Sequence, residues 1–291
     1  MTNIKSIKPF LAIVIVLTLI CTVLSLSSQA SFFTNDSIYT TYFSIAYIIA
    51  LLVCLSSVFA YPKNTVAKSQ NNLSGASKIF FAILGTLTIL FGTLSYFLMS
   101  DNIFLEIIVL ASCVGIYAFG GYLLSLSTMN GFAFSQFKLV LLLLSVGLPA
   151  AIHMTNNSDF NKPLNSPYNK LFAIFGAAYL IYIIYEGKHL HTGEHHRLHF
   201  ASMLATIFTG FTASISYIVG FFLNQLDDTM KFTQAIAILI ISIALLIECI
   251  IFSTKAQAHR KEEWNLIENP PEEIDETANQ IIEETNEIIE A

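Results

Sequence analysis

The chain alternates between long apolar runs and short polar segments. Eight of these runs are candidates for crossing a bilayer, which takes roughly 20 apolar residues in an α-helix, and polar turns separate them. This pattern predicts an all-α, polytopic helical membrane bundle with about eight transmembrane helices. The predicted spans are Phe10–Leu26, Thr41–Ala60, Lys78–Met99, Ile103–Ser125, Leu139–Ala151, Leu171–Tyr185, Phe200–Leu223 and Phe232–Ser253.

The first span has a second interpretation. The sequence Ser28-Gln29-Ala30 resembles the small-residue cleavage site of a secretory signal peptide. The apolar run before it is longer than the usual core of about 7–15 residues in a signal peptide. We therefore expect a retained helix, with cleavage near Ala30 as the alternative.

The fifth span is the shortest. It reaches a normal length only if Phe132 to Phe137 belong to it and Lys138 extends its ammonium group toward the headgroups. Pro149 is expected to kink the far end of this span, because proline lacks the backbone N–H that continues a helix.

Composition agrees with a membrane protein. Only 12% of the residues are charged, against about 25% in soluble domains. Residues 262–291 hold 11 of the 20 acidic side chains and no Lys or Arg. The rest of the chain is mildly basic, without the basic stripe that nucleic-acid binding requires, so no nucleic-acid partner is expected.

The basic residues predict the orientation in the membrane. Eleven of the 14 Lys and Arg residues fall on the side that holds both termini and the even-numbered loops, and three fall on the other side. Because cytoplasmic loops carry the excess of Lys and Arg, we expect an integral protein of the cell membrane with both termini in the cytoplasm.

Five histidines surround the turn between the sixth and seventh spans. Thr192 is a candidate N-cap of the seventh span, which would bring His195 and His199 one helical turn apart. His191 and His196 lie beside them. Neutral imidazoles bind zinc well, so these four histidines are the candidate metal ligands, with zinc as the candidate ion. The alternative is a solvated turn.

Few ionisable residues fall within the spans. Glu106 and Glu186 are expected at the two membrane interfaces, whereas Glu248 lies deeper and is expected to pair within the bundle or to function there. Tyr179 and Tyr182 are also too deep for an interfacial belt. Their hydroxyls are expected to meet the small, hydroxyl-rich face of the seventh span, where Thr206, Gly210 and Ser214 recur every four residues.

The tail forms a separate segment in this interpretation, with a transmembrane domain over 1–255 and an acidic cytoplasmic tail over 256–291. Ile274, Ile281 and Ile288 recur every seven residues and predict an amphipathic helix. Anionic lipid repels an acidic helix, so a protein partner or self-association through the tail is expected. Disorder in isolation is the alternative.

A weak internal sequence similarity is also present. Thr88, Ser95 and Tyr96 align with Thr209, Ser216 and Tyr217 at a shift of 121 residues. Four spans plus four would form a parallel repeat. Chance recurrence of small and hydroxyl residues in apolar helices is the alternative.

Three short passages carry a resemblance. They are Lys8-Pro9-Phe10, Tyr39 to Tyr42 before Pro62-Lys63, and Asn165-Ser166-Pro167 leading to Tyr185-Glu186. Together they resemble a group of uncharacterised eight-span membrane proteins of anaerobic Gram-positive bacteria, over most of residues 5–255. The resemblance implies the fold and no activity.

The sequence contains no catalytic motif of the common enzyme classes, so no enzyme activity is expected. The predicted function is a non-enzymatic sensing or organising role, with the His-rich hairpin and the acidic tail as cytoplasmic surfaces. The alternative is a transporter of a small uncharged solute or a divalent metal.

Overall fold

The computed structural model describes residues 8–32, 37–60, 73–97, 103–129, 131–158, 167–192, 197–223 and 229–268. Nine helices occupy these ranges, and no strand occurs within them. The helices are α1 (Lys8–Phe32), α2 (Ser37–Ala60), α3 (Gly75–Phe97), α4 (Ile103–Thr128), α5 (Gln136–Leu144), α6 (Gly147–Ser158), α7 (Pro167–Thr192), α8 (Arg197–Phe222) and α9 (Thr229–Glu268).

Eight stretches of these helices are long and apolar enough to cross a membrane. Seven lie within single helices, and the fifth, Gln136–Thr155, is made of α5 and α6 together. The all-α, eight-span prediction is confirmed. The side on which the termini lie stays a prediction.

Helix α8 lies at the centre of the bundle. It packs against α1, α2 and α7, and 18 of its 26 residues are buried. Helix α3 packs against α4, and only 22% of its span is buried, against 72% for α8. The two helices occupy different positions, so the fold lends no support to a repeat that would equate them.

Large apolar side chains are exposed on the outer helices, among them Leu19, Val23, Leu52 and Leu90. Exposed apolar faces of this extent are unfavourable in water and favourable in lipid. The outward faces of α1, α2 and α3 are therefore suited to contact with lipid.

The fifth span is broken in its middle, not kinked at its far end. Helix α5 ends at Leu144, two residues form a turn, and α6 begins at Gly147. A proline ring clashes with the carbonyl group four residues earlier, which here belongs to Ser145. The Ser145 carbonyl accepts instead from the Leu148 N–H at 3.2 Å. Pro149 thus causes the break one helical turn before its own position.

The break packs directly on the backbone of α4. A Cβ atom on Gly115 would overlap the backbone of Leu148, and a Cβ atom on Gly147 would overlap the carbonyl group of Ala111. Only glycine permits this approach, so these two residues hold the broken span against α4.

The prediction that Lys138 extends toward the headgroups is wrong. Its side chain is fully buried, and its ammonium group donates hydrogen bonds to the carbonyl groups of Met129, Gly131 and Ala133. An ammonium group has three donors, and all three are used. Gly131 adopts a φ of 60°. Lys138 therefore fastens the described residues between α4 and α5, Met129 and 131–135, which together we call the 129–135 loop.

The chain divides into two compact units, Met1–Ile250 and Ile251–Ala291. The predicted boundary at residue 255 falls within α9, which continues as a helix to Glu268. The isoleucine stripe at residues 274–288 lies outside the described residues, so its amphipathic helix stays a prediction.

Candidate metal-binding site

Three helices bring one ionisable side chain each to a common point. Glu186 comes from α7, His199 from α8 and Glu248 from α9. The His199 Nε2 atom lies 2.6 Å from a Glu186 carboxylate oxygen and 3.9 Å from a Glu248 carboxylate oxygen. One ligand atom from each residue lies within 4.8 Å of the other two. We refer to these three residues as the Glu-His-Glu site.

The site lies inside the apolar spans, near one end of the bundle. Glu186 is six residues, or about 9 Å, before the end of α7. His199 lies just after the start of α8, and Glu248 lies four residues before the end of the last apolar span. Antiparallel α7, α8 and α9 place these positions at the same end.

All three side chains are buried, with exposed fractions of 0% for Glu186, 2% for His199 and 1% for Glu248. One carboxylate oxygen of Glu186 lies within hydrogen-bond distance of the His199 Nε2 atom, whereas one carboxylate oxygen of Glu248 has no hydrogen-bond donor among the described residues. Both oxygens are the ones that face His199. Buried polar atoms normally have partners, so the Glu248 oxygen that faces His199 is the candidate contact for a ligand.

Two tyrosines fix the other oxygens of the carboxylates. Tyr122 of α4 donates a hydrogen bond to Glu186, and Tyr182 of α7 donates to Glu248 at 3.0 Å. Both tyrosines are fully buried. Metal-binding side chains usually have such hydrogen bonds, which hold them in the orientation that binds the ion.

The charges of the site favour a divalent cation. Metal ligands bind as ionised carboxylates and neutral imidazole, so the site would present two negative charges. Taking charges out of water costs on the order of several kcal/mol per ion, and His199 compensates for one of the two charges only when its imidazole is protonated, a form that cannot bind a metal ion. A divalent cation neutralises both charges. The donor set, two carboxylates and one imidazole, suits zinc, manganese and ferrous iron.

A column of nearly parallel rings passes through the site. Phe175, Tyr179, Tyr182, His199 and His189 stack in this order, with centroid distances of 5.2–6.1 Å between successive rings. The column joins the site to the broken span, because the Tyr179 hydroxyl donates to the Ser145 hydroxyl at 3.2 Å.

The tyrosine hydroxyls do not meet the partners predicted for them. Tyr179 and Tyr182 are buried, but they donate to Ser145 of the broken span and to Glu248 of α9. Thr206 and Ser214 of α8 donate to the backbone of their own helix. These two hydroxyls are therefore satisfied within α8, and the tyrosine hydroxyls bond to other elements.

The candidate histidines of the hairpin are separated in the structure. His199 is buried in the Glu-His-Glu site, whereas His191 is exposed at the end of α7, beside Phe134. His195 and His196 lie outside the described residues. Thr192 is not an N-cap of α8: it belongs to α7 and donates to the Lys188 carbonyl group. The predicted His195–His199 pair therefore remains untested.

Sequence reasoning missed two residues of the site. Glu186 was expected at the interface, and Tyr122 was not considered. Apolar spans indicate depth but not which face of a helix points inward, so the burial of Glu186 left no signal in the sequence. Glu248 was recognised from its depth alone.

The four cysteines are buried in four different helices, α1, α2, α4 and α9.

Comparison with known proteins adds nothing to the geometry of the Glu-His-Glu site: no family model, no curated protein and no solved structure matches the chain.

Proposed function

We propose that this protein binds a divalent transition-metal ion at the Glu-His-Glu site and transports it through the membrane. The proposal rests on one observation, the convergence of Glu186, His199 and Glu248 from three separate spans, with one Glu248 carboxylate oxygen left without a donor among the described residues. Because zinc suits both the donor set and common assays, it is the first ion to test.

Three protein ligands support an exchangeable ion more than a permanent structural one. Structural zinc sites usually close with four protein ligands, whereas sites with three leave a position for water or another ligand. An ion held by three side chains has an open position through which it can be handed on. This favours a site that ions pass through.

The position of the site supports transport over a purely structural role. Ionisable residues within spans are costly and commonly mark ion pathways. Transporters also build their sites around interrupted spans, and here a broken span is connected to the site, because Tyr179 donates to Ser145 and the neighbouring Tyr182 donates to Glu248. Transport of a small uncharged solute would leave the two carboxylates without a role.

The sensing or organising role rests on different residues. It was predicted from the His-rich turn and the acidic tail, and residues 193–196 and 269–291 lie outside the described ranges. That role stays a prediction. Metal binding within the spans is compatible with it, since a sensor also needs a ligand.

The binding part of the proposal is tested by metal content. Full-length protein in lipid nanodiscs is loaded with zinc, dialysed extensively and measured by plasma mass spectrometry. We expect about one zinc per chain in the parent and loss of that zinc in Glu186→Gln, His199→Gln and Glu248→Gln. His153→Gln is the matched control, because His153 is an exposed histidine on α6.

Transport is tested in proteoliposomes that contain a zinc-sensitive dye. The parent and His153→Gln are expected to admit zinc faster than empty liposomes, and Glu248→Gln is expected to match the empty liposomes. Size-exclusion profiles exclude misfolding as the cause. Zinc uptake by Glu248→Gln at the parent rate would contradict the proposed route, and zinc retention by all three site variants would contradict the site itself.

A further inference from the structure

The 129–135 loop lies against the end of α7 nearest the Glu-His-Glu site, with Phe132 beside His189 and Phe134 beside His191. It joins α4 to α5, on the side where α7 ends and α8 begins. Its conformation is fixed by the three hydrogen bonds from Lys138 and by the left-handed backbone of Gly131. A loop held in this way keeps its side chains in defined places.

Phe132 is the side chain that this loop directs into the bundle. Its exposed fraction is 4%, and its ring centre lies 6.0 Å from that of His189. The next aromatic residue, Phe134, is half exposed and lies against His191 at the outer end of α7. Of these two phenylalanines, only Phe132 covers a buried histidine.

His189 lies between Phe132 and the site. It is buried, with an exposed fraction of 3%, and its ring lies 5.2 Å from that of His199. It comes one turn after Glu186 on α7 but is not one of the three residues whose ligand atoms converge. The order from the bundle end inward is therefore Phe132, His189 and then the metal ligand His199.

We propose that Phe132 and His189 form the entrance to the Glu-His-Glu site. This inference rests on the proposed metal binding. An ion arriving from the end of the bundle first meets the imidazole of His189 when Phe132 swings aside, and then passes to His199, Glu186 and Glu248. An imidazole is a ligand for the same ions that the site suits, so His189 lowers the barrier to passage without belonging to the final site.

The 129–135 loop and Phe132 form a cover, and Lys138 is its anchor. An entrance that opens changes the rates of binding and release together and leaves the equilibrium affinity unchanged. A residue of the final site changes the affinity. These two signatures separate the entrance from the site.

The experiment measures zinc association and release by stopped-flow fluorescence with a zinc chelator dye, on full-length protein in nanodiscs. Phe132→Ala is expected to accelerate both rates about tenfold, which corresponds to a barrier lower by about 1.4 kcal/mol. The zinc Kd is expected to stay within about twofold, because both rates change together. Phe134→Ala, the matched control, is expected to keep the parent rates.

His189→Gln is expected to change the rates of zinc association and release in the opposite direction. Losing the intermediate ligand is expected to slow association and release by a similar factor, again with the parent Kd. The parent Kd also shows that each variant is folded. A weaker Kd in His189→Gln would overturn the proposal by making His189 a ligand of the final site, and parent rates in Phe132→Ala would overturn it by placing the entrance elsewhere. Failure of the proposed function is distinct, because the parent protein itself would then bind no zinc.

Discussion

The hydroxyl group of Tyr182 offers a sharp test of how the site is built. Tyr182→Phe removes one buried hydrogen bond, 3.0 Å long, to the Glu248 carboxylate and changes nothing else in the ring column. A hydrogen bond to a charged group contributes about 1.5–3 kcal/mol, and about 1.4 kcal/mol corresponds to a tenfold change in Kd. Without its donor, Glu248 is no longer held toward the ion.

We therefore expect the zinc Kd of Tyr182→Phe to rise about 10- to 100-fold, the range typical for partners of metal ligands. Tyr179→Phe is the matched control. It makes the same change one turn earlier on the same helix, but its hydroxyl donates to the neutral Ser145, away from the site. Its Kd is expected to stay near that of the parent.

The assay is competition for zinc against a chelator dye of known affinity, at equilibrium and at one pH. An equal change of the zinc Kd in Tyr182→Phe and Tyr179→Phe would contradict this role of the Tyr182 hydroxyl. Equal losses would mean that both tyrosines act only through packing, and that Glu248 does not depend on Tyr182 for its orientation.

Three further predictions concern the packing of the broken span, the orientation in the membrane and the tail. Gly115→Val should lower the thermal unfolding midpoint, because overpacking costs about 1–3 kcal/mol, whereas Gly75→Val, which would meet no atom within 4 Å, should not. Reporter fusions after Asp159 should be active only outside the cytoplasm; activity inside would refute the eight-span orientation. Ile281→Asp with Ile288→Asp should abolish tail crosslinks and leave membrane insertion intact; unchanged crosslinks would exclude docking through the isoleucine stripe.

The spans were predictable because each one needs a long apolar run, and such runs are visible in the sequence. The packing of α3 against α4 was predictable as well, because the short segment at residues 100–102 leaves them as antiparallel neighbours. These features depend on local sequence only.

The break in the fifth span was predicted at the wrong place. Pro149 was expected to kink the helix near itself, but its steric effect falls on Ser145, one turn earlier. The break is also stabilised by the contact between Gly115 and Gly147. That contact joins residues of two helices, so the local sequence could not reveal it.

The site depends entirely on contacts between distant residues. Glu186 and Glu248 are 62 residues apart, and only the packing of α7, α8 and α9 brings them together with His199. The metal-site prediction was based on neighbouring histidines, because a sequence shows only which residues are close along the chain. His199 was among them, but its described partners are carboxylates of other helices.

The most direct test of the account is X-ray absorption spectroscopy at the zinc edge on the loaded, dialysed parent protein. We expect only nitrogen and oxygen ligands at about 2.0–2.2 Å, with the outer scattering of a single imidazole, and no zinc-edge signal from the dialysed His199→Gln variant. Scattering from two or more imidazoles would place the ion in the His-rich turn, and a sulfur ligand would place it at a cysteine. Either result would contradict the Glu-His-Glu site.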